Sequence, residues 1–142
     1  MNTALVLLFA YLCGSIPTGY WVVKALKGID LRKIGSGSTG TTNVLRVTGK
    51  KAAAFVFFVD IAKGYVPVWV AIQVLEKGMV PELQNNPMLA PIAPWLPFAA
   101  GIVALIGHSK SIFLGFQGGK SAATGLGIMF AMNPVAAFCT FL

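Results

Sequence analysis

Long apolar segments constrain this chain more than any other feature of its sequence. They run from Thr3 to Val23, from Ala52 to Leu75 and from Pro91 to Ile106, and another begins at Ala122. About 20 such residues cross a bilayer as a helix. Only 11% of the residues are charged and 56% are hydrophobic, too polar-poor a composition for a water-exposed globule. We therefore predict an all-α, polytopic transmembrane helix bundle of short, broken helices, forming a single integral membrane domain over residues 1–142.

The basic residues are concentrated between the first two apolar segments. That connection holds Lys24, Lys27, Arg32, Lys33, Arg46, Lys50 and Lys51. Because cytoplasmic loops carry an excess of Lys and Arg, we predict that it faces the cytoplasm and that the N-terminus lies outside. The segment from Ser109 to Lys120 then also faces the cytoplasm. For Lys24, Lys27, Lys50 and Lys51, the simpler interpretation is that they set topology and contact anionic lipid.

The first glycine-rich loop, IGSGSTGTTN over residues 34–43, has the G-x-G-x-x-G spacing of dinucleotide-binding folds. Those folds need a buried strand before the motif, whereas the charged segment KGIDLRK precedes it here. We therefore expect no Rossmann site. Glycines in such a loop still let backbone N–H groups converge on an anion. Hydroxyl donors accompany them at Ser36, Ser38, Thr39, Thr41 and Thr42.

Asn43 and Arg46 follow this loop within about one helical turn. A helix beginning near Thr41 or Thr42 would direct its first amides at the loop and place Arg46 nearby. A helix N-terminus with a guanidinium is a strong phosphate site. The alternative is a flexible Gly/Ser/Thr linker, which the neighbouring Asn43 and Arg46 make the weaker interpretation.

The second glycine-rich loop lies within GHSKSIFLGFQGGKSAATG, residues 107–125. A Walker A loop would require glycine where Leu114 stands, so we expect no ATP hydrolysis. Gly118, Gly119 and Lys120 nevertheless precede an apolar helical segment, so amides, a helix dipole and an ammonium converge again. The two loops together predict two anion sites on one face of the membrane, converging on a shared pocket at the inner leaflet.

Few other ionisable groups occur in the apolar segments. Asp60 and Lys63 share a helical face inside a span, where such groups usually mark a site, and we expect Lys63 to reach the cytoplasmic loop and Asp60 to orient it. His108 is either a helix C-terminal cap or a member of the site. Cys13 and Cys139 lie in apolar segments, so we predict neither a disulfide nor a metal site.

Four motifs together carry a family resemblance: GSIPTGY, DLRKIGSGSTGTTNVLRVTG, DIAKG and GHSKSIFLGFQGGKSAATGLG. With them the chain resembles the acyl-phosphate-dependent glycerol-3-phosphate acyltransferases of bacterial membranes, over nearly its whole length. The resemblance implies an essential serine and arginine at Ser36 and Arg46. It also implies a glycerol phosphate-binding loop at Gly118, Gly119 and Lys120.

The implied reaction transfers a fatty acyl group from acyl-phosphate to the 1-hydroxyl of glycerol 3-phosphate, giving lysophosphatidic acid and phosphate at the bacterial inner membrane. We expect Ser36, Arg46 and Lys120 to be catalytic. The expected substrate-binding residues are Ser36, Ser38, Thr41, Asn43, Arg46, Lys63, His108, Gly118, Gly119 and Lys120. The expected partners are the two substrates and membrane lipid, without cofactor, metal or nucleic acid, and the expected state is a monomer. His108 and the donor's own phosphate are both candidates for the proton acceptor.

The family also has a third motif, with a histidine and an asparagine, that would lie beyond Leu142. The resemblance therefore implies an incomplete chain that is inactive by itself. Acyl-CoA-dependent acyltransferases resemble a different pattern, in which an aspartate follows a histidine by five residues. In this chain the residue five places after His108 is Phe113, so acyl-CoA is not the donor we expect first. The alternative functions are a small membrane anion transporter or channel, with helices broken at residues 14–17 and 133–134, and a structural subunit.

Overall fold

A computed structural model describes the backbone of residues 2–141 and the side chains of residues 2–139. The two ends of the predicted domain, Met1 and Leu142, lie outside the described residues. Within them the chain is helical and forms no β-strand, which confirms the predicted all-α class. The helices are α1 Thr3–Ser15, α2 Thr18–Lys27, α3 Thr41–Thr48, α4 Lys50–Glu76, α5 Pro81–Gln84, α6 Leu96–Ser109, α7 Ala122–Met132 and α8 Pro134–Phe141. Short 3-10 turns occupy Leu31–Lys33, Ala90–Trp95 and Ile112–Leu114.

Three helical segments are long and apolar enough to cross a membrane, namely Thr3–Lys27, Lys50–Glu76 and Ala90–Ser109. They coincide with the first three apolar segments of the sequence, and α7 is a shorter apolar helix. Large hydrophobic side chains such as Phe58 and Trp95 are exposed on the outside of the bundle. An apolar exterior of this extent suits a lipid environment.

The first span is broken, as the sequence predicts, because Pro17 has no N–H to continue the helix. Two carbonyls at the break accept hydrogen bonds from side chains inside the protein. Ser111 Oγ donates to the Ser15 carbonyl at 2.5 Å, and Lys63 Nζ donates to the Ile16 carbonyl at 2.8 Å. Backbone groups at membrane depth must be satisfied in this way. The second expected break also occurs, at Asn133 between α7 and α8.

Glycines allow the helices to pack closely around α4 and α6. A Cβ on Gly64 would overlap the Thr124 backbone of α7, and one on Gly14 would overlap the Ala104 backbone of α6. Small residues at helix crossings are typical of membrane bundles. The close contact of α4 with α7 brings Asp60 next to the loop that precedes α7.

Candidate functional site

A cavity of about 330 Å³ lies between α3, α4, α6 and the start of α7. It brings the two glycine-rich loops together, as the sequence predicts. The polar groups in its lining come from four separate parts of the chain. Its lining residues are Ser36, Ser38, Gly40, Thr41, Thr42, Asn43, Arg46, Phe57, Asp60, His108, Lys120, Ser121, Ala122 and Ala123.

Asn43 holds the first loop in shape. Its side chain is 1% exposed, and Nδ2 donates to the carbonyls of Ile34 at 3.0 Å and Ser38 at 2.9 Å. A longer contact joins Nδ2 to the Leu31 carbonyl at 3.4 Å, and Oδ1 accepts from the Ser36 N–H at 3.2 Å. The amide that the sequence assigns to substrate binding is therefore occupied within the loop, although Asn43 lines the cavity.

The α3 helix begins at Thr41, where the sequence predicts it. Gly40 precedes it and offers no side chain to cap the first amides. Thr41 and Thr42, in the first turn, line the cavity, and so does the exposed Arg46 about one turn further on. Within the described side chains nothing pairs with the Arg46 guanidinium. An uncapped helix N-terminus and an unpaired guanidinium thus face one space, which is suited to an anion.

His108 shapes the second loop. The Gly119 N–H donates to the His108 carbonyl at 3.1 Å, and a Cβ on Gly119 would overlap Nε2 of the ring. A Cβ on Gly118 would overlap the same carbonyl. The ring is buried, and its Nδ1 lies 3.2 Å from Thr124 Oγ1. His108 therefore lies in the last turn of α6 and also lines the cavity. Gly118 and Gly119 pack against His108 and do not line the cavity, whereas Lys120, which follows them, does.

Asp60 and Lys63 form a buried ion pair at 2.7 Å, as their spacing predicts. Their orientation differs from the expectation. Lys63 Nζ also donates to the Ile16 carbonyl at the break of the first span, and Lys63 does not line the cavity. The prediction that Lys63 reaches the cytoplasmic loop is wrong, and Asp60 is the member of the pair at the cavity. From the sequence, the pair marks a site and Asp60 only orients Lys63, whereas in the structure Asp60 itself lines the cavity.

Arg32 connects the approach to the first loop with the second loop. It forms an ion pair with Asp30 at 2.7 Å, and its Nη1 donates to the Leu114 carbonyl at 3.4 Å. The hydrogen bond from Arg32 lowers the pKa of the Asp30 carboxyl to about 2. The guanidinium also lies 5.2 Å from the centre of the Tyr20 ring. These contacts hold the two loops in one arrangement.

The glycerol-3-phosphate acyltransferase family matches residues 4–142 of the chain. The chain belongs to this family. A glycerol-3-phosphate acyltransferase of Nostoc sp. is 51% identical over 140 residues, which cover 96% of this chain and 61% of the relative. One from Trichormus variabilis is 50% identical, with the same two shares of 96% and 61%. This member of the acyltransferase family thus spans about three fifths of the length of these relatives.

Two crystal structures of PlsY, an integral membrane glycerol 3-phosphate acyltransferase, have the same fold. The glycerol 3-phosphate form is 40% identical with a TM-score of 0.79 and aligns with 98% of this chain and 62% of its own. The lysophosphatidic acid form is 38% identical with a TM-score of 0.76 and aligns with 98% of this chain and 61% of its own. Together with its three apolar spans, this likeness identifies the present acyltransferase-family chain as an integral membrane protein.

Proposed function

We propose that this protein transfers a fatty acyl group from acyl-phosphate to the 1-hydroxyl of glycerol 3-phosphate. The observation that carries the proposal is that Arg46, on the helix after the first glycine-rich loop, and Lys120, in the second loop, line one cavity. Its volume of about 330 Å³ lies at the lower end of the range for ligand pockets, as suits small phosphorylated groups. The relatives are named for glycerol 3-phosphate acyl transfer, which supports the same reaction.

The two loops would divide the substrates between them. The first loop holds the phosphate of the donor through the N-terminus of α3, the hydroxyls of Ser36, Ser38 and Thr41, and Arg46. A planar guanidinium grips a phosphate with two parallel hydrogen bonds. Lys120 binds the phosphate of glycerol 3-phosphate, and Arg46 also donates to it, so that Arg46 bridges the two substrates. Gly118 and Gly119 let the second loop pack against His108.

The chemistry then depends mainly on positioning and charge. The 1-hydroxyl oxygen attacks the carbonyl carbon of the acyl-phosphate, a new C–O ester bond forms, and the bond from that carbon to the phosphate oxygen breaks. The hydroxyl proton passes to the departing phosphate, so lysophosphatidic acid and hydrogen phosphate result. Ser36, Arg46 and Lys120 stabilise the negative charge that develops on the carbonyl oxygen and on the departing phosphate oxygen. His108 then serves to position the second loop.

A second, more open depression in the protein surface gives the acyl chain a place. It has a volume of about 610 Å³, shares Lys120, Ser121 and Ala122 with the first, and is otherwise lined by apolar groups of α6 and α7 such as Leu105 and Met129. The acyl tail would lie there, between the helices and toward lipid. In a bacterial inner membrane the polar cavity faces the cytoplasm, with the N-terminus outside, because the basic connection lies beside it.

Ester formation tests this function directly. Full-length protein in lipid nanodiscs, given palmitoyl phosphate and radiolabelled glycerol 3-phosphate, should form labelled lysophosphatidic acid without coenzyme A, ATP or added metal. Lys51→Gln is a matched control, because Lys51 is an exposed cation of α4 outside the cavity lining. Passage of label across the membrane without a new ester would instead indicate a transporter and reject the proposal.

A further inference from the structure

We propose that Asp60 accepts a hydrogen bond from the 2-hydroxyl of glycerol 3-phosphate. It would thereby select a phosphorylated polyol over phosphorylated alcohols that lack this group. The inference rests on the proposed function and names the part of the same cavity that recognises the acceptor's free hydroxyl.

Asp60 is a buried carboxylate with acceptor capacity left over. Its residue is 2% exposed, and it is the one carboxylate among the described lining residues of the cavity. Lys63 Nζ approaches Oδ1 at 2.7 Å, and within the described residues no other group donates to the carboxylate. An ionised carboxylate has about four acceptor positions. A buried polar group of this kind normally has its hydrogen bonds satisfied, so a donor from a bound ligand fits.

Lys63 keeps the Asp60 carboxylate ionised and in place. The ammonium is fixed on its other side by the Ile16 carbonyl at 2.8 Å, so it stays behind the carboxylate. A neighbouring ammonium favours the ionised form of a carboxylate and compensates its charge. Asp60 can therefore line an anion-binding cavity without repelling the anion. An isolated carboxylate at this position would repel it. Lys63 is a positioning residue that acts through Asp60.

The charge arrangement gives the ligand one direction. Arg46, on α3, and Lys120, in the second loop, are the two cations of the lining, and Asp60, on α4, is the one carboxylate among its described residues. Like charges repel, so a phosphate group binds at the two cations and the uncharged glycerol end points toward Asp60. The 1-hydroxyl must face the acyl-phosphate to react. The 2-hydroxyl is then the group left to donate to Asp60.

Loss of that hydroxyl should be costly, since a site built to bind a hydroxyl rejects an analogue that leaves its polar group unpaired. The probe is 3-hydroxypropyl phosphate, which keeps the phosphate and the reacting hydroxyl and lacks the 2-hydroxyl. The wild-type protein should bind glycerol 3-phosphate at least about tenfold more tightly than this analogue and use it with a correspondingly higher kcat/KM.

The decisive variant is Asp60→Ala combined with Lys63→Met, which removes both charges together and leaves no unpaired buried ion. This double variant should bind glycerol 3-phosphate at most about threefold more tightly than the analogue, because the hydrogen bond that distinguishes the two ligands is lost. Lys120→Gln is the matched control. Lys120 binds the phosphate that both ligands carry, so this variant should weaken both ligands equally and leave the ratio unchanged.

Two results would overturn the inference. One is a double variant that keeps the wild-type ratio, since a purely structural pair would lower both affinities together. The other needs no variant: equal binding of the two ligands by the wild-type protein. Because the ratio is measured by binding as well as by turnover, its failure differs from failure of the proposed function, in which no ester forms at all.

Discussion

Arg46, before the second span, and Lys120, after the third, line the same cavity. Two spans separate them, and a chain that crosses a membrane twice returns to the side from which it started. The two glycine-rich loops can therefore meet on one side only because the connection from residue 77 to residue 89 lies on the other. Neither glycine-rich motif alone identifies a function, but together they form one cavity that contains two cations.

Arg46→Lys should lower kcat/KM roughly 10- to 100-fold, because an ammonium cannot make the two parallel hydrogen bonds of a guanidinium to phosphate. Steady-state ester formation with palmitoyl phosphate and glycerol 3-phosphate measures this. Lys51→Gln removes a nearby exposed cation and should leave the rate within about twofold of the wild type. A loss in Arg46→Lys no larger than that in Lys51→Gln would contradict a two-point contact of the Arg46 guanidinium with phosphate.

Gly119→Ala should disturb the second loop, since the new Cβ would overlap the His108 ring. Overpacking of this kind costs about 1–3 kcal/mol, and displacement of the neighbouring Lys120 should raise the KM for glycerol 3-phosphate. Adding His108→Ala gives the methyl group room and should recover part of the loss. A double variant as impaired as the sum of both single variants would contradict the contact with the ring.

Asn43→Ala should loosen the first loop while α3 still forms. The substitution removes the donor to the carbonyls of Ile34 and Ser38 and the acceptor of the Ser36 N–H, at a cost of about 1–3 kcal/mol. Hydrogen–deuterium exchange of residues 31–40 should become faster. Asn85→Ala, in the connection after α5, serves as the control and should leave that exchange unchanged. Unchanged exchange in Asn43→Ala would show that the Asn43 side-chain amide does not stabilise the loop.

The ion pair of Asp30 and Arg32 predicts a pH dependence. The folded-state pKa of Asp30 is about 2, below the ordinary value of 3.8, so its stabilising contribution is present above that ordinary value. It is lost as the pH falls toward 2. Arg32→Gln should raise the pKa of Asp30 toward its ordinary value in a carbon-13 NMR titration. Lys33→Gln should raise it less, because Lys33 acts only through its more distant charge. An unchanged titration in Arg32→Gln would refute the pairing.

Much of this architecture follows from the sequence. The apolar segments give the spans, Pro17 and Pro134 give the breaks, and the hydroxyl-rich segment before Asn43 gives the start of α3. Each of these is a local property that composition and spacing determine. The convergence of Arg46 and Lys120 follows as well, from charge distribution and the even number of spans between them.

Other features depend on which helices become neighbours. Lys63 turns to the Ile16 carbonyl because the break of the first span packs against α4, and spacing along α4 alone cannot reveal that. Asn43 is used inside its loop because the loop folds back over α3. Gly118 and Gly119 are small to fit His108, although a glycine pair before a lysine suggests direct contact with phosphate.

The central claim is that Arg46 and Lys120 hold anionic substrates in one shared cavity. A double-mutant cycle on glycerol 3-phosphate binding, with Arg46→Gln, Lys120→Gln and the combined variant, tests it most directly. The claim predicts a combined loss that departs from the sum of the single losses by at least about 0.5 kcal/mol. Strictly additive losses, or no loss in one of the single variants, would contradict it.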